Sequence, residues 1–131
     1  MNCIETFELE GCAETPSNTP TTIFMFGPLP TTGSWTALGT VTCAKPDGSA
    51  QVTYYPQFAG CSKNGVATEL DSYGTTPMAH QPQNGNLDDT GFVAAPTLVV
   101  ANNRVGVQVT GFQGVPLVWG ISLKQTNITL G

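Results

Sequence analysis

The sequence predicts an all-β protein, a single antiparallel β-sandwich of jelly-roll type with an N-terminal arm. Three observations lead there. Short runs rich in Val, Ile, Thr, Tyr and Phe recur along the chain, each closed by Gly, Pro or Asn. No window sustains a helical period, because 15 Gly and 10 Pro interrupt nearly every candidate. Charged residues make up 10% of the chain, against about 25% in an average domain, which leaves little material for solvated helix faces. With 131 residues, 40% of them hydrophobic, the chain fills one core and has no room for a second domain.

The first element is acidic. Glu5, Glu8, Glu10 and Glu14 precede the first basic residue, Lys45, yet Ile4, Phe7 and Leu9 are apolar residues that an acidic tail does not need for solubility. Residues 1–15 are therefore expected to be an assembly arm, with Ile4, Phe7 and Leu9 docking on a neighbouring subunit or on the body. Glu5, Glu8 and Glu10 would meet Lys or Arg on the acceptor. The competing reading is an extra edge strand pinned by a disulfide from Cys3 or Cys12. Thr15 to Thr22, TPSNTPTT, resembles a linker and sets the boundary with a body over residues 16–131.

Within the body, strands are expected over residues 21–26, 36–44, 51–58, 66–70, 96–101, 104–112 and 117–123, with a further one near 127–130. The clearest hairpin turns at Asn102-Asn103, a pair suited to the positive φ angles of a type I′ turn. Closing there opposes Ala101 to Arg104, Val100 to Val105 and Leu98 to Val107. Leu98, Val100, Val105, Val107 and Val109 then share one face, and Gln108 lies on the other. Leu117, Trp119, Ile121 and Leu123 alternate in the same way and are expected to extend that face, through a glycine loop at residues 111–115. A second hairpin turns at Lys45-Pro46-Asp47-Gly48, where Pro presets φ and Gly absorbs the reversal.

Charge excludes two classes of partner. The net charge is −5, and Lys45, Lys63, Arg104 and Lys124 stand singly, so no basic stripe exists for nucleic acid or for a membrane-surface helix. No apolar run reaches the length of a membrane span, and the N-terminus lacks the features of a secretory signal. The four cysteines, Cys3, Cys12, Cys43 and Cys61, allow three disulfide pairings or four free thiols, and no gap between them is short enough for a zinc site.

Catalytic chemistry finds few candidates. His80 is the single histidine and stands in an expected loop, and no GxSxG elbow is present. Asp88 and Asp89 are adjacent, which does not suit the opposed carboxylates of a glycosidase. Residues 84–90 begin like a calcium loop, but Ala95 stands where the closing Glu should be. No catalytic residue, metal or cofactor is therefore expected. Trp35, in the turn-like Thr32-Gly33-Ser34, and Tyr73, beside Gly74, remain as candidate exposed aromatics for contact with a sugar ring.

Three stretches carry a resemblance. They are Pro20-Thr21-Thr22-Ile23-Phe24 leading to Pro28-Leu29-Pro30-Thr31; the turn Asp47-Gly48-Ser49-Ala50 before a Tyr-bearing strand; and Asp88-Asp89-Thr90-Gly91-Phe92 followed by Val105-Gly106-Val107-Gln108-Val109-Thr110-Gly111 and Trp119. Between about Thr19 and Leu123 the chain resembles a small β domain of fibre, minor tail and other structural proteins of tailed bacteriophages. The resemblance implies a non-enzymatic virion protein, assembled in the host cytoplasm. A capsid-surface decoration or head spike or fibre is favoured, because no shaft is present. By analogy it would be a homotrimer, contacting major capsid or tail proteins. The alternative is a carbohydrate-binding module or a tail-fibre receptor-binding domain that meets a host surface glycan.

Overall fold

The computed structural model describes residues 3–48, 51–73, 77–80, 96–101, 104–111 and 114–130, with the backbone alone for 69–73 and 77–80. These residues form strands β1 (Ile4–Thr15), β2 (Thr21–Met25), β3 (Gly33–Ala44), β4 (Gln51–Tyr54), β5 (Gln57–Lys63), β6 (Val66–Tyr73), β7 (Pro77–His80), β8 (Thr97–Ala101), β9 (Arg104–Val109) and β10 (Leu117–Thr129). Every pairing is antiparallel. The protein is an all-β sandwich of one seven-stranded and one three-stranded sheet.

The large sheet is built around three long strands in the order β1-β10-β3. Beyond β3 it forks. Gly33 to Leu38 of β3 pair with β5, while Val41 to Ala44 pair with β4. β6 extends the first branch and β7 the second. Between the two pairings stands Gly39, where a Cβ would collide with the Ser122 carbonyl of β10, so only glycine allows the strands to approach there. The small sheet, β2-β9-β8, covers the inner face of the large one.

Alternation drives the packing. In β10, Leu117, Trp119, Ile121, Leu123, Gln125 and Asn127 are buried, and the residues between them are half-buried or exposed. Opposite them in β3 stand Cys43, Val41, Gly39, Ala37 and Trp35. Val105, Val107 and Val109 of β9 close the core from the small sheet, and Leu98 and Val100 of β8 are partly buried against it. Four inward aromatics, Phe24, Phe26, Trp35 and Phe58, form a cluster in which Phe26 meets Trp35 edge-on, with ring centroids 5.5 Å apart. Such tilted pairs contribute beyond their burial.

The register of β8 and β9 opposes Ala101 to Arg104, Val100 to Val105 and Leu98 to Val107, the pairing read from the turn. The turn residues Asn102 and Asn103 lie outside the described residues. The Lys45 to Gly48 turn is closed by Gly48 N–H donating to the Lys45 carbonyl at 2.9 Å, with Gly48 at φ 76°.

Several expectations need correction. β9 and β10 were expected to share a face of one sheet, but they lie in different sheets. β9 belongs to the small sheet and β10 to the large one, so their apolar sides meet across the core. β10 also runs on through Gln125 and Asn127 as one strand of 13 residues, because neighbouring groups pair their inward amides. His80 belongs to the end of β7 and pairs by backbone with Val52, rather than standing in a loop.

The residues expected to be a separate arm are β1, paired with β10 along its whole length from Ile4↔Ile128 to Thr15↔Leu117. Phe7, Leu9, Gly11 and Ala13 face inward and are half-buried, and Thr15 is fully buried. At its end, Trp119 Nε1 donates to Thr15 Oγ1 at 2.8 Å within the core. In the middle, Phe24 from the small sheet packs onto Gly11, where an added Cβ would come within 3.2 Å of the ring. The stretch at residues 16–20 is therefore a turn between sheets and not a hinge to a detached segment. β1 occupies the edge of the large sheet, and its outward glutamates have the character of charges that protect edge strands from unwanted pairing.

Candidate binding cleft

At one end of the sandwich the chain passes from β2 to β3 through Phe26-Gly27-Pro28-Leu29-Pro30-Thr31-Thr32. Two prolines disfavour regular pairing here, so side chains must hold the segment. Gln125 accepts from Gly27 N–H at 2.9 Å and donates through Nε2 to the Pro28 carbonyl at 3.1 Å and to Asn127 Oδ1 at 2.9 Å. Asn127 Nδ2 donates to the same Pro28 carbonyl at 2.6 Å. Two inward amides near the end of an apolar strand thus serve as a main-chain clamp. Phe7 and Leu9 of β1 pack beneath Gly27, within 3.6 Å of where its Cβ would stand.

The other side of the segment is held by the β5–β6 turn. Asn64 and Gly65 adopt positive φ, 52° and 81°, as the central pair of a tight hairpin between Lys63 and Val66. Gly65 N–H donates to the Thr31 carbonyl at 2.8 Å, and Asn64 N–H donates to Thr32 Oγ1 at 3.2 Å. Leu130 N–H adds a bond to the Thr32 carbonyl at 2.9 Å.

Between these supports lies a cleft of about 500 Å³, bordered by Met25 to Thr31, Ser62, Gly65, Arg104 and Val105. Ser62 is 4% exposed, and its Oγ is buried with no hydrogen-bond partner. Arg104, exposed at the start of β9, brings a guanidinium to the same cleft. One branch of the large sheet, the crossover and the first residue of β9 therefore join a buried hydroxyl, an exposed cation and an apolar wall. No carboxylate or imidazole lines the cleft among the described residues. What the lining offers a ligand is a guanidinium, a serine hydroxyl and apolar side chains.

The residues singled out from the sequence are dispersed. Trp35, a candidate exposed aromatic in the sequence, is 1% exposed and lies in β3 with its indole over Gly60 of β5. The glycine before it serves close strand approach rather than a turn, since a Cβ at Gly33 would strike the Ile128 carbonyl. Trp35 Nε1 is, like Ser62 Oγ, buried without a partner. Tyr73 ends β6, where its backbone pairs with Gln57, and its side chain lies outside the described residues. So do Asp88, Asp89, the calcium-like stretch at residues 84–90 and the His80 side chain. Among the described residues no three His, Cys, Asp or Glu side chains converge on a metal position.

In β1, Ile4, Glu5, Glu8 and Glu10 point to solvent, and Glu8 stands opposite Lys124 in the register. The four cysteines are free: Cys3 and Cys12 are exposed, Cys61 is half-buried and Cys43 is buried. Burial pushes the Cys43 thiol up to about 12. Ser62, Arg104, Gln125 and Asn127 were not singled out as site residues, although the Asn64-Gly65 dipeptide is a hairpin signal that would have located the turn beside them.

The outward face of the large sheet is the second surface of interest. Across β10 it presents Val118, Gly120, Ser122, Lys124, Thr126 and Ile128, and across β3 Ser34, Thr36, Leu38, Thr40, Thr42 and Ala44. Lys124 is the only charge among these, and β1 adds Glu8, Glu10 and Glu14 at the edge of the same face. Ile4, Leu38, Val118 and Ile128 are exposed large apolar side chains on this face.

No protein-family model matches the sequence, and no curated protein matches it. Among solved structures the chain is similar to the tailspike protein gp49 of Acinetobacter baumannii bacteriophage Fri1, a capsular polysaccharide depolymerase, with TM-score 0.47 and 9% identity over 98% of this chain and 20% of that one. It is also similar to the tailspike protein of Acinetobacter baumannii phage AM24, with TM-score 0.42 and 10% identity over 95% of this chain and 26% of that one. The chain thus spans about a fifth and a quarter of the two tailspikes it resembles in build.

Proposed function

We propose that the chain is a non-enzymatic structural module of a tailed-phage particle, displayed on the virion as a capsid-surface decoration or a head spike or fibre. It assembles with copies of itself, as a homotrimer, and with a major capsid or tail protein. The observation that supports this reading is the outward face of the large sheet. Strands of 12 and 13 residues give it a length of about 40 Å at roughly 3.3 Å per residue, with Lys124 as the single charge across β10 and β3. Depletion of charge at the centre of a broad surface is the mark of an interface core. The sequence resemblance to phage virion domains supplies the kind of particle.

The test is the copy number of the chain in particles purified by density gradient, read by quantitative mass spectrometry, with light scattering of the isolated protein. Tens of copies or more per particle and a trimer in solution are expected. Absence from purified particles would overturn the reading. A second reading, receptor binding in a tail fibre through a surface glycan, draws on the Ser62 and Arg104 cleft. It expects few copies, confined to tail fractions.

A further inference from the structure

Among the described residues, the end cleft is where a cavity of ligand size meets a buried polar group without a partner. Ser62 Oγ has no hydrogen bond although its residue is 4% exposed, and native structures rarely leave such a group unpaired. The volume beside it, about 500 Å³, falls in the range of small-molecule sites. Arg104 lines the same space and has no ion pair among the described residues.

The supply of hydrogen-bond donors narrows the ligand. Around the cleft, Phe26 N–H is used by the Val105 carbonyl, Gly27 N–H by Gln125 and Gly65 N–H by Thr31. Pro28 and Pro30 have no N–H to give. An extended peptide is held largely through main-chain hydrogen bonds, and along the crossover only Leu29 and Thr31 keep an N–H that could serve it. A ligand that brings its own donors fits better. Sugar hydroxyls donate to main-chain carbonyls and, once the Ser62 side chain turns its buried Oγ to the cleft, to that oxygen, while an anionic group answers the guanidinium. Phe26 and Leu29 present apolar surface to the carbon face of a ring.

We infer that the cleft is a binding site for a carboxylated monosaccharide unit, with Arg104 on the carboxylate and Ser62 on a ring hydroxyl. The inference rests on the glycan part of the second reading above and not on where the chain sits in a particle. Copy number can therefore fail without touching it, and the reverse also holds.

The experiment is an amide NMR titration of the full chain with sodium glucuronate, galacturonate and N-acetylneuraminate, and with glucose and acetate as controls. At least one acidic sugar is expected to give saturable shifts at Thr31, Ser62, Gly65 and Arg104, with a dissociation constant in roughly the millimolar range. Glucose and acetate should each bind about fivefold more weakly or worse. Arg104→Gln, at an exposed position, should keep the melting temperature and weaken the acidic sugar by about tenfold, removing its advantage over glucose. Ser62→Ala should keep the fold and weaken acidic and neutral sugars alike. No saturable shift with any acidic sugar would overturn the inference. So would an unchanged affinity in Arg104→Gln, or tighter binding of a short peptide than of every sugar acid.

Discussion

Replacing Gln125 by leucine tests whether two amides at the end of an apolar strand hold the crossover in place. Gln125 is fully buried, and its side chain makes three hydrogen bonds. Leucine is close in size and apolar, so the loss is chiefly of bonding. The change leaves Gly27 N–H and Asn127 Oδ1 without partners, whereas the Pro28 carbonyl keeps its bond from Asn127. A sealed polar group left unpaired costs about 1–3 kcal/mol, and less where water can reach it, as at half-buried Gly27, so the expected cost is about 2–4 kcal/mol. That is a large part of a typical domain's stability of about 5–15 kcal/mol. Asn127→Leu alone orphans one N–H of Gln125 and should cost about 1–2 kcal/mol. In the double variant the unpaired groups are Gly27 N–H and the Pro28 carbonyl, fewer than the two single changes leave together. The double loss should therefore fall short of the sum of the singles by about 1 kcal/mol. Urea unfolding followed by the fluorescence of buried Trp35 and Trp119 measures all three. A Gln125→Leu cost under about 0.5 kcal/mol, or strict additivity, would refute the reasoning.

Three further outcomes follow from the packing. Gly60→Ala drives a Cβ into the Trp35 ring and the Thr68 carbonyl, whereas Gly120→Ala meets nothing within 4 Å. The first should cost about 3 kcal/mol or prevent folding and the second should be nearly silent, as read by melting temperature. Cys3 and Cys12 should react with a thiol reagent in the native protein and Cys43 only after unfolding. Because the Cys43 thiol is held up to about 12 against 9.0 unperturbed, the unfolded chain releases its proton first. Stability should fall as pH rises from about 9 towards 12, an effect that Cys43→Ala removes from the pH profile. Removing residues 1–15 strips the strand paired along β10 and uncovers its core side of Trp119, Ile121 and Leu123. Cooperative unfolding should be lost, and a truncated chain with native melting behaviour would restore the detached-arm reading.

Local chemistry made much of the fold legible. Alternation of Val105, Val107 and Val109, together with a two-residue turn, defines the β8–β9 register, because period and turn type act over a few residues and must agree. Glycine was harder to read. Gly33 and Gly60 resemble turn or flexible positions in the sequence, yet both exist for close approach to a partner far along the chain, Ile128 and Trp35 respectively. For that reason the turn-like setting of Gly33 makes Trp35 a candidate exposed side chain in the sequence, although it is buried. The cleft escaped for the same cause: Ser62 and Arg104 are ordinary in their own surroundings and meet only through the crossover.

The sequence by itself determined the class of fold, most of the strands, the Val and Leu faces of the core and the absence of a basic surface, since these follow from composition and short-range period. Only the tertiary structure decided that β9 and β10 lie in opposite sheets, that the acidic stretch is an edge strand, and that Gln125 and Asn127 clamp the Pro28 carbonyl. Each of these depends on pairing between segments about 100 residues apart. The free energy of such pairing comes from burial and hydrogen bonding across the whole sandwich, which no local window contains.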